Sequence, residues 1–262
     1  MAPELRPARG DVIRFGLDRL VRGGVRGVWV RGSLPRGPMV WAANHHSWWD
    51  GFAAASVLRA AERAPALLMD GDNLGDYGFL RRAGVIPATQ PRAALTALRQ
   101  GRVLIVFPEG VLRPPGPLGP LLPGAQWLAR RAPATLVGVA LRVVNRGHQA
   151  AEIYVDLSVV TDRVVAGDDA PVDRDAGSAA DAGSAAAAGS AADAGSAADA
   201  GSDEAGSAGG PLAVAMRAGL ARLDADLLAA DPREPLPGFL LAVPGRSSWD
   251  ERIAGWSSVL RR

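Results

Sequence analysis

The sequence predicts an α/β fold: a single domain in which a mixed, mostly parallel β-sheet is covered by helices. Two observations lead to this prediction. Short apolar runs typical of buried strands alternate along the chain with stretches rich in alanine, leucine and arginine, which favour helix. The chain has 262 residues, 48% of them hydrophobic, so it can form a sizeable packed core.

Four runs are predicted to be strands, because each is short and mostly apolar. They are residues 38–43, 103–107, 135–142 and 152–160. Four stretches of alanine, leucine and arginine are predicted to be helices. They are residues 51–64, 92–100, 124–131 and 212–228. Because a helix between two strands lets the second strand run parallel to the first, the sheet is expected to be mostly parallel.

Residues 12–30 are also rich in apolar side chains, but arginines and glycines, among them Gly23, Gly24 and Gly27, interrupt them. They contain nothing close to the ~20 continuous apolar residues that a membrane-spanning helix needs. Apolar residues among arginines are typical of an amphipathic helix, which lies in a membrane interface or covers the protein core. Both interpretations stay open. No signal peptide is expected at the N-terminus, and the chain from residue 235 on is expected to be loop with a short helical tail.

A six-residue repeat interrupts the predicted domain. From Asp175 the sequence repeats DAGSAA with small variations. A glycine every six residues disfavours helix, and the repeat has no branched or aromatic side chain to bury. We therefore predict a disordered low-complexity insertion over residues 166–209, which separates residues 1–165 from residues 210–262 of the same domain.

The net charge of +2 combines two oppositely charged parts of the chain. Residues 168–204 have a net charge of −8, so the other residues carry +10, and all 29 basic residues are arginine. Such a basic surface attracts phosphates, nucleic acid or a phospholipid leaflet, unless it is only an ordinary solvated surface. Nucleic acid is not expected as a partner, because the arginines lack interleaved aromatic side chains on which bases could stack.

Residue types restrict the chemistry further. The chain has no cysteine and only three histidines, His45, His46 and His148. The absence of cysteine excludes disulfides, thiolate nucleophiles and cysteine-bound zinc or iron–sulfur clusters. With so few histidines, no metal site and no resident cofactor are expected.

The first candidate site follows the predicted strand 38–43 and reads Asn-His-His-Ser-Trp-Trp-Asp, from Asn44 to Asp50. In α/β sheets, ligands bind at the carboxyl ends of strands. A histidine there can act as a general base when a carboxylate fixes its tautomer. On one helix, His45 and Asp50 would lie about 140° apart. Their pairing therefore requires His45 in the loop, Ser47 near the helix N-cap and Asp50 in the first turn.

Two alternatives to this pair stay open. His46 and Asp50 are four residues apart and would share one face of a helix, so His46 is a second candidate base. The segment can also be a helix-capping turn that has no catalytic role.

The second candidate site is the turn Phe107-Pro108-Glu109-Gly110, which follows the predicted strand 103–107 and precedes Arg113. The turn is expected to point Glu109 out of the sheet, where a carboxylate can bind a hydroxyl group. Alone, such a turn is an ordinary loop. Two such clusters, about 60 residues apart and each at a strand end, form a far more specific pattern.

Together, the motifs Asn-His-x4-Asp and Phe-Pro-Glu-Gly resemble those of the glycerolipid acyltransferases, typified by 1-acylglycerol-3-phosphate acyltransferase. The resemblance extends over residues 31–142, and more loosely over 152–160 and 212–228. It implies an α/β enzyme, peripheral on the cytoplasmic face of the cell membrane. Its members transfer a fatty acyl group from a thioester of coenzyme A or acyl-carrier protein to a lipid hydroxyl.

The resemblance also implies roles for individual residues. His45 would deprotonate the acceptor hydroxyl, and Asp50 would orient His45 and stabilise its imidazolium. The hydroxyl would attack the thioester directly, so no cysteine nucleophile is needed. Glu109 would bind the acceptor, Gly110 would allow its close approach, and Arg113 would contact an anionic headgroup.

Three departures from the family pattern concern the acceptor. The family's phosphate-binding arginine is missing after residues 84–87, and the nearest candidate is Arg92. Residues 111–113 read Val-Leu-Arg where the family has Thr-Arg-Ser, and Gly138 stands where proline is common. The expected acceptor is therefore a lysophospholipid or a lipid without phosphate, such as a glycolipid or a carotenoid glycoside. A thioesterase and a non-catalytic lipid-surface protein are the alternative functions.

Overall fold

The computed structural model describes residues 9–76, 78–160, 210–249 and 252–253, which form one sheet with helices on both faces. The strands are β1 (Val25–Arg31), β2 (Met39–Ala43), β3 (Pro65–Met69), β4 (Val85–Pro87), β5 (Val103–Val106), β6 (Thr135–Val144), β7 (Ala151–Val159) and β8 (Leu240–Pro244). The helices are α1 (Arg9–Gly24), α2 (Asp50–Ala60), α3 (Gly71–Asp76), α4 (Pro91–Arg99), α5 (Gly124–Arg131) and α6 (Pro211–Ala229), with a 3₁₀ helix at Gly78–Ala83.

The sheet is mixed and mostly parallel. Its strand order is β4-β3-β5-β2-β6-β7-β1-β8. The five strands from β4 to β6 run parallel, whereas β7 is antiparallel to β6 and β8 is antiparallel to β1. The predicted fold class is therefore confirmed.

Two helix layers bury the two faces of the sheet. On one face, Ala53 and Val57 of α2 and Val21 of α1 belong to a core cluster that includes Trp41 and Ile105. On the other face, residues of α4, α5 and α6 cover the alternate strand positions, such as Val40 and Leu104. The central strands are therefore buried on both sides, which explains why their sequences are almost continuously apolar.

The register of β2 and β5 sets the position of the candidate site. These strands are parallel neighbours, and Ala42 pairs with Val106. The residues that follow Ala43 and Val106 therefore leave the sheet side by side at the same edge. The two motifs, far apart in sequence, meet there.

The structure confirms the four predicted strands and four predicted helices, with ends that differ by a few residues, and adds four strands. These are β1, β3, β4 and β8, each a short run that contains proline, glycine or arginine. The prediction of loop and helical tail after residue 235 is wrong for Leu240–Pro244, which pairs with β1. The predicted insertion at 166–209 lies outside the described residues.

The amphipathic run at residues 12–30 is helical only as far as Gly24, and β1 begins at Val25. Two consecutive glycines end the helix, and pairing of β1 with β7 and β8 stabilises the extended backbone that follows. Asp18 anchors α1 to α2: its carboxylate accepts hydrogen bonds from Ser56 Oγ (2.6 Å) and Arg59 Nε (2.8 Å). In the described part of the chain, no helix has the length and hydropathy needed to span a membrane.

Candidate active site

The side chain of His45 lies in the loop between β2 and α2, as predicted. Its Nδ1 is 2.9 Å from Asp50 Oδ2, and its ring stacks on Phe107 with the centroids 4.2 Å apart. The side chain is 25% exposed. Within the described residues no group is hydrogen-bonded to Nε2, so this nitrogen is open to a substrate.

Asp50 is the first residue of α2, and its side chain is completely buried. Besides His45, its Oδ2 accepts hydrogen bonds from the backbone N–H groups of His46 (2.8 Å) and Ser47 (2.9 Å). The helix N-terminus favours a negative charge at this position. Asp50 therefore both orients His45 and folds the loop that carries it. Ser47 lies near the N-cap, as predicted, and Trp49 is the N-cap residue itself.

The ring nitrogens of His46 have partners other than Asp50. Its Nε2 accepts a hydrogen bond from the backbone N–H of Val143 on β6 (3.2 Å), and Asn44 Nδ2 lies 3.0 Å from its Nδ1. Burial lowers the pKa of His46, and the charge of Arg142 adds to this effect. Of the two histidines, His45 therefore has the geometry of the base that Asp50 orients.

Glu109 lies against the His45 loop and is buried. Its Oε1 accepts the backbone N–H of His45 (3.1 Å), and its Oε2 accepts the backbone N–H of Gly119 (3.0 Å). Arg113 Nε is 3.2 Å from Oε2, and the backbone N–H of Arg113 donates to the carbonyl of His45 (2.9 Å). The two motifs are thus joined through both backbone polar groups of His45.

Two glycines are required for this arrangement. Gly110 has φ +72°, a backbone conformation that favours glycine. At Gly119, a Cβ atom would lie 2.6 Å from Arg113 Nε and 2.9 Å from Glu109 Oε2. The sequence does not predict this role for Gly119, because none of its neighbours marks it as a partner of Glu109.

The two candidate headgroup arginines occupy different places. Arg113 lies beside the His45 loop, and its side chain is 40% exposed. Arg92 is exposed in the first turn of α4, after β4. Strands β3 and β5 separate β4 from β2, so the ends of β4 and β2 are about 14 Å apart at ordinary strand spacing, and among the described residues no hydrogen bond or ion pair joins Arg92 to the His45 loop. The structure therefore brings Arg113, but not Arg92, to His45.

An exposed apolar rim lies next to the site. It consists of Trp48, Val111, Leu112 and Leu122. Arg142 holds the loop that carries most of this rim: it donates to the Gly116 carbonyl (3.1 Å) and is paired with Asp224 of α6 through two hydrogen bonds. Among the described residues, no cluster of three or more histidine or acidic side chains could bind a metal ion.

Residues 28–142 match the family model described as Acyltransferase. The chain is 35% identical over 114 residues to the lyso-ornithine lipid O-acyltransferase of Pseudomonas aeruginosa, a match that covers 41% of this chain and 44% of that protein. The chain thus matches less than half of this relative's length. It is also similar to the solved 1-acyl-sn-glycerophosphate acyltransferase PlsC from Thermotoga maritima, at 16% identity and a TM-score of 0.42, over 59% of this chain and 72% of that one. Residues 28–142, which contain both motifs, are thus the part of the chain that is similar to acyltransferases.

Proposed function

We propose that the protein is an O-acyltransferase that moves a fatty acyl group from a thioester to the hydroxyl of a lipid acceptor. One observation carries this proposal: His45 has one ring nitrogen bonded to buried Asp50 and the other open at the sheet edge. That is the arrangement a general base needs. It lies inside the segment that matches the acyltransferase family.

The proposed reaction uses His45 twice. Its Nε2 takes the proton of the acceptor hydroxyl while the oxygen attacks the thioester carbonyl. The resulting imidazolium is stabilised by Asp50, to which Nδ1–H donates. When the carbon–sulfur bond breaks, His45 returns the proton to the leaving thiolate. The products are an ester and a free thiol, and the protein needs neither a cofactor nor a cysteine. The acyl donor is a fatty acyl thioester of coenzyme A or of acyl-carrier protein.

We propose a lysolipid as the acceptor. The relative from Pseudomonas aeruginosa is named for a lyso-ornithine lipid. In this chain, Arg113 is the arginine beside His45, and its Nε faces Glu109. A headgroup therefore meets the partly exposed guanidinium of Arg113, whose charge is balanced by the buried carboxylate of Glu109, and this arrangement does not demand a phosphate. Arg92 follows β4, which β3 and β5 separate from β2, and is therefore the less favoured candidate for the same headgroup atoms.

An assay with several different lipid acceptors tests this function directly. Wild-type protein is incubated with a long-chain acyl-CoA or acyl-carrier protein and with lysophosphatidate, lyso-ornithine lipid or a glycolipid, and products are measured by mass spectrometry. We expect acyl ester only when an acceptor is present. Free fatty acid formed equally without acceptor would identify a thioesterase instead. Lipid binding without any thioester turnover would identify a non-catalytic protein.

We further propose peripheral binding to the inner face of the cell membrane. Helix α1 exposes Val12, Phe15 and Leu20 among arginines, and Phe15 is 70% exposed. Apolar side chains among basic residues are suited to the interface of an anionic leaflet. Because the hydrogen bonds of Asp18 fix α1 to α2, helix α1 is held against the same part of the protein that carries the His45 loop and the apolar rim.

Replacing Phe15 by aspartate is expected to weaken vesicle binding. The change places a negative charge where apolar surface would enter an anionic leaflet. Co-sedimentation with vesicles of phosphatidylglycerol measures it. Leu228→Asp is the matched control, because Leu228 is 89% exposed on α6, on the other face of the sheet. Equal loss in both variants, or none in either, would contradict binding through α1.

A further inference from the structure

Strand β6 extends beyond its neighbour β2 at the site. The last backbone pair between them is Ala43 with Val139, whereas β6 continues to Val144. Leu141, in the unmatched part of β6, is fully buried. A buried backbone group without a partner costs about 1–3 kcal/mol, so the backbone of Leu141 and Val143 needs hydrogen bonds on the β2 side.

Two side chains from the His45 loop supply these bonds. Asn44 Oδ1 accepts the N–H of Leu141 (2.8 Å), and its Nδ2 donates to the carbonyl of the same residue (3.1 Å). His46 Nε2 accepts the N–H of Val143 (3.2 Å). Asn44 and His46 thus occupy the places that the backbone of a longer β2 would fill.

His45 lies between these two anchors and points the other way. Alternate residues of an extended chain face opposite sides. With Asn44 and His46 turned to β6, the ring of His45 turns to Phe107 and Asp50. Glu109 holds the N–H of His45 from the β5 side. The base is therefore held from both neighbouring strands.

The His46 anchor depends on the charge of its ring. An imidazolium has N–H groups at both nitrogens and accepts no hydrogen bond. An N–H donor lies at each ring nitrogen, Val143 N–H at Nε2 and Asn44 Nδ2 at Nδ1; a neutral ring can accept from one of them, here Val143, and an imidazolium from neither. The charged groups around it are Asp50, Arg142, His45 and Glu109. Burial lowers the pKa of His46, and Arg142 and His45 lower it further, against the opposing effect of Asp50 and Glu109.

We infer that Asn44 and His46 are positioning residues, which hold His45 in place by continuing the hydrogen bonds of β2 along β6, and that His46 does so only as a neutral ring. The inference rests on the proposed acyl transfer for its kinetic test. Its spectroscopic test stands without that function.

The kinetic test compares His46→Phe, His46→Gln and the control His148→Gln. Phenylalanine fills the space but accepts no hydrogen bond, so we expect kcat to fall about 10- to 100-fold with little change in the KM for the thioester. Glutamine has a carbonyl oxygen that can accept the Val143 N–H, and it is expected to restore most of kcat. His148 lies on the hairpin after β6, and its variant is expected to behave as wild type. Unchanged kcat in His46→Phe would overturn the inference.

The pH dependence provides a second kinetic signature. At low pH, wild type is expected to lose activity when the general base is protonated and again when the ring of His46 is protonated. The slope of log(kcat/KM) against pH is therefore expected to rise from one towards two. In His46→Gln only the first protonation remains, and the slope is expected to stay at one. A slope of two in this variant would contradict the assignment.

Nuclear magnetic resonance tests the anchor without any substrate. The chain has three histidines, so ¹⁵N-labelled rings can be assigned by single variants. We expect the His46 ring to stay neutral below its ordinary pKa of 6.5. Because the unfolded chain binds that proton first, the stability that His46 contributes is present above pH 6.5 and is lost as pH falls towards the native pKa. Protonation of His46 at or above 6.5 would overturn the inference. Failure of acyl transfer in wild type would overturn only the proposed function.

Discussion

Replacing His45 by glutamine is expected to lower kcat for ester formation by about 10²- to 10⁴-fold, the usual contribution of a general base. Glutamine has a similar length and remains polar, but it cannot take a proton from the acceptor hydroxyl. Because the acceptor contacts other residues as well, the KM for the lysolipid is expected to change much less. Initial rates at saturating thioester measure the effect.

The fold of the His45 variant should stay intact. The side chain is partly exposed; it stacks on Phe107 and bonds Asp50, whose carboxylate keeps the N–H groups of His46 and Ser47 in the variant. Circular dichroism and urea unfolding close to those of wild type would establish this. If His45→Gln kept full activity while His46→Gln lost it, the base would be His46 and the account of both histidines would be wrong.

Asp50 is expected to give the second large effect, and two variants separate its roles. Asp50→Asn removes the charge that stabilises the imidazolium, and we expect kcat to fall on the order of 10²- to 10⁴-fold. The amide oxygen can still accept the N–H groups of His46 and Ser47, so the loop should keep its shape. Asp50 Oδ1 has no hydrogen-bond partner among the described residues. The NH₂ group of asparagine can therefore take the place of Oδ1 without facing another donor.

Asp50→Ala removes the charge and the loop's acceptor together. The N–H groups of His46 and Ser47 then lose their partner, at a cost of about 1–3 kcal/mol each if they stay buried. We therefore expect both variants to lose activity but only Asp50→Ala to lose several kcal/mol of unfolding free energy in urea. Equal stability of the two variants would contradict the role of Asp50 in folding the loop.

The sequence predicts those strands in which almost every residue is apolar. Strands β2, β5, β6 and β7 are found because burial makes them almost continuously hydrophobic. Strand β1 is different, since Arg26 and Gly27 interrupt it and only pairing with β7 and β8 makes it extended. Strand β4 has three residues, too few for a pattern to emerge.

The candidate site is likewise predicted from the sequence only in part. Spacing alone predicts that His45 must leave the helix to reach Asp50, and the structure has this arrangement. The choice between His45 and His46 could not be made from the sequence, because it depends on the unpaired edge of β6, 97 residues away. Likewise, Glu109 is recognisable in its motif, but its bonds to the backbone of His45 and Gly119 exist only once the chain has folded.

The rate of ester formation in three proteins tests the central claim most directly. Wild type, His45→Gln and His148→Gln receive the same acyl thioester with and without lysolipid, and ester and free fatty acid are quantified together. We expect ester at equal rates in wild type and His148→Gln, and at least about 100-fold less in His45→Gln. Ester formation by His45→Gln at the wild-type rate, or fatty acid release that ignores the lysolipid, would contradict it.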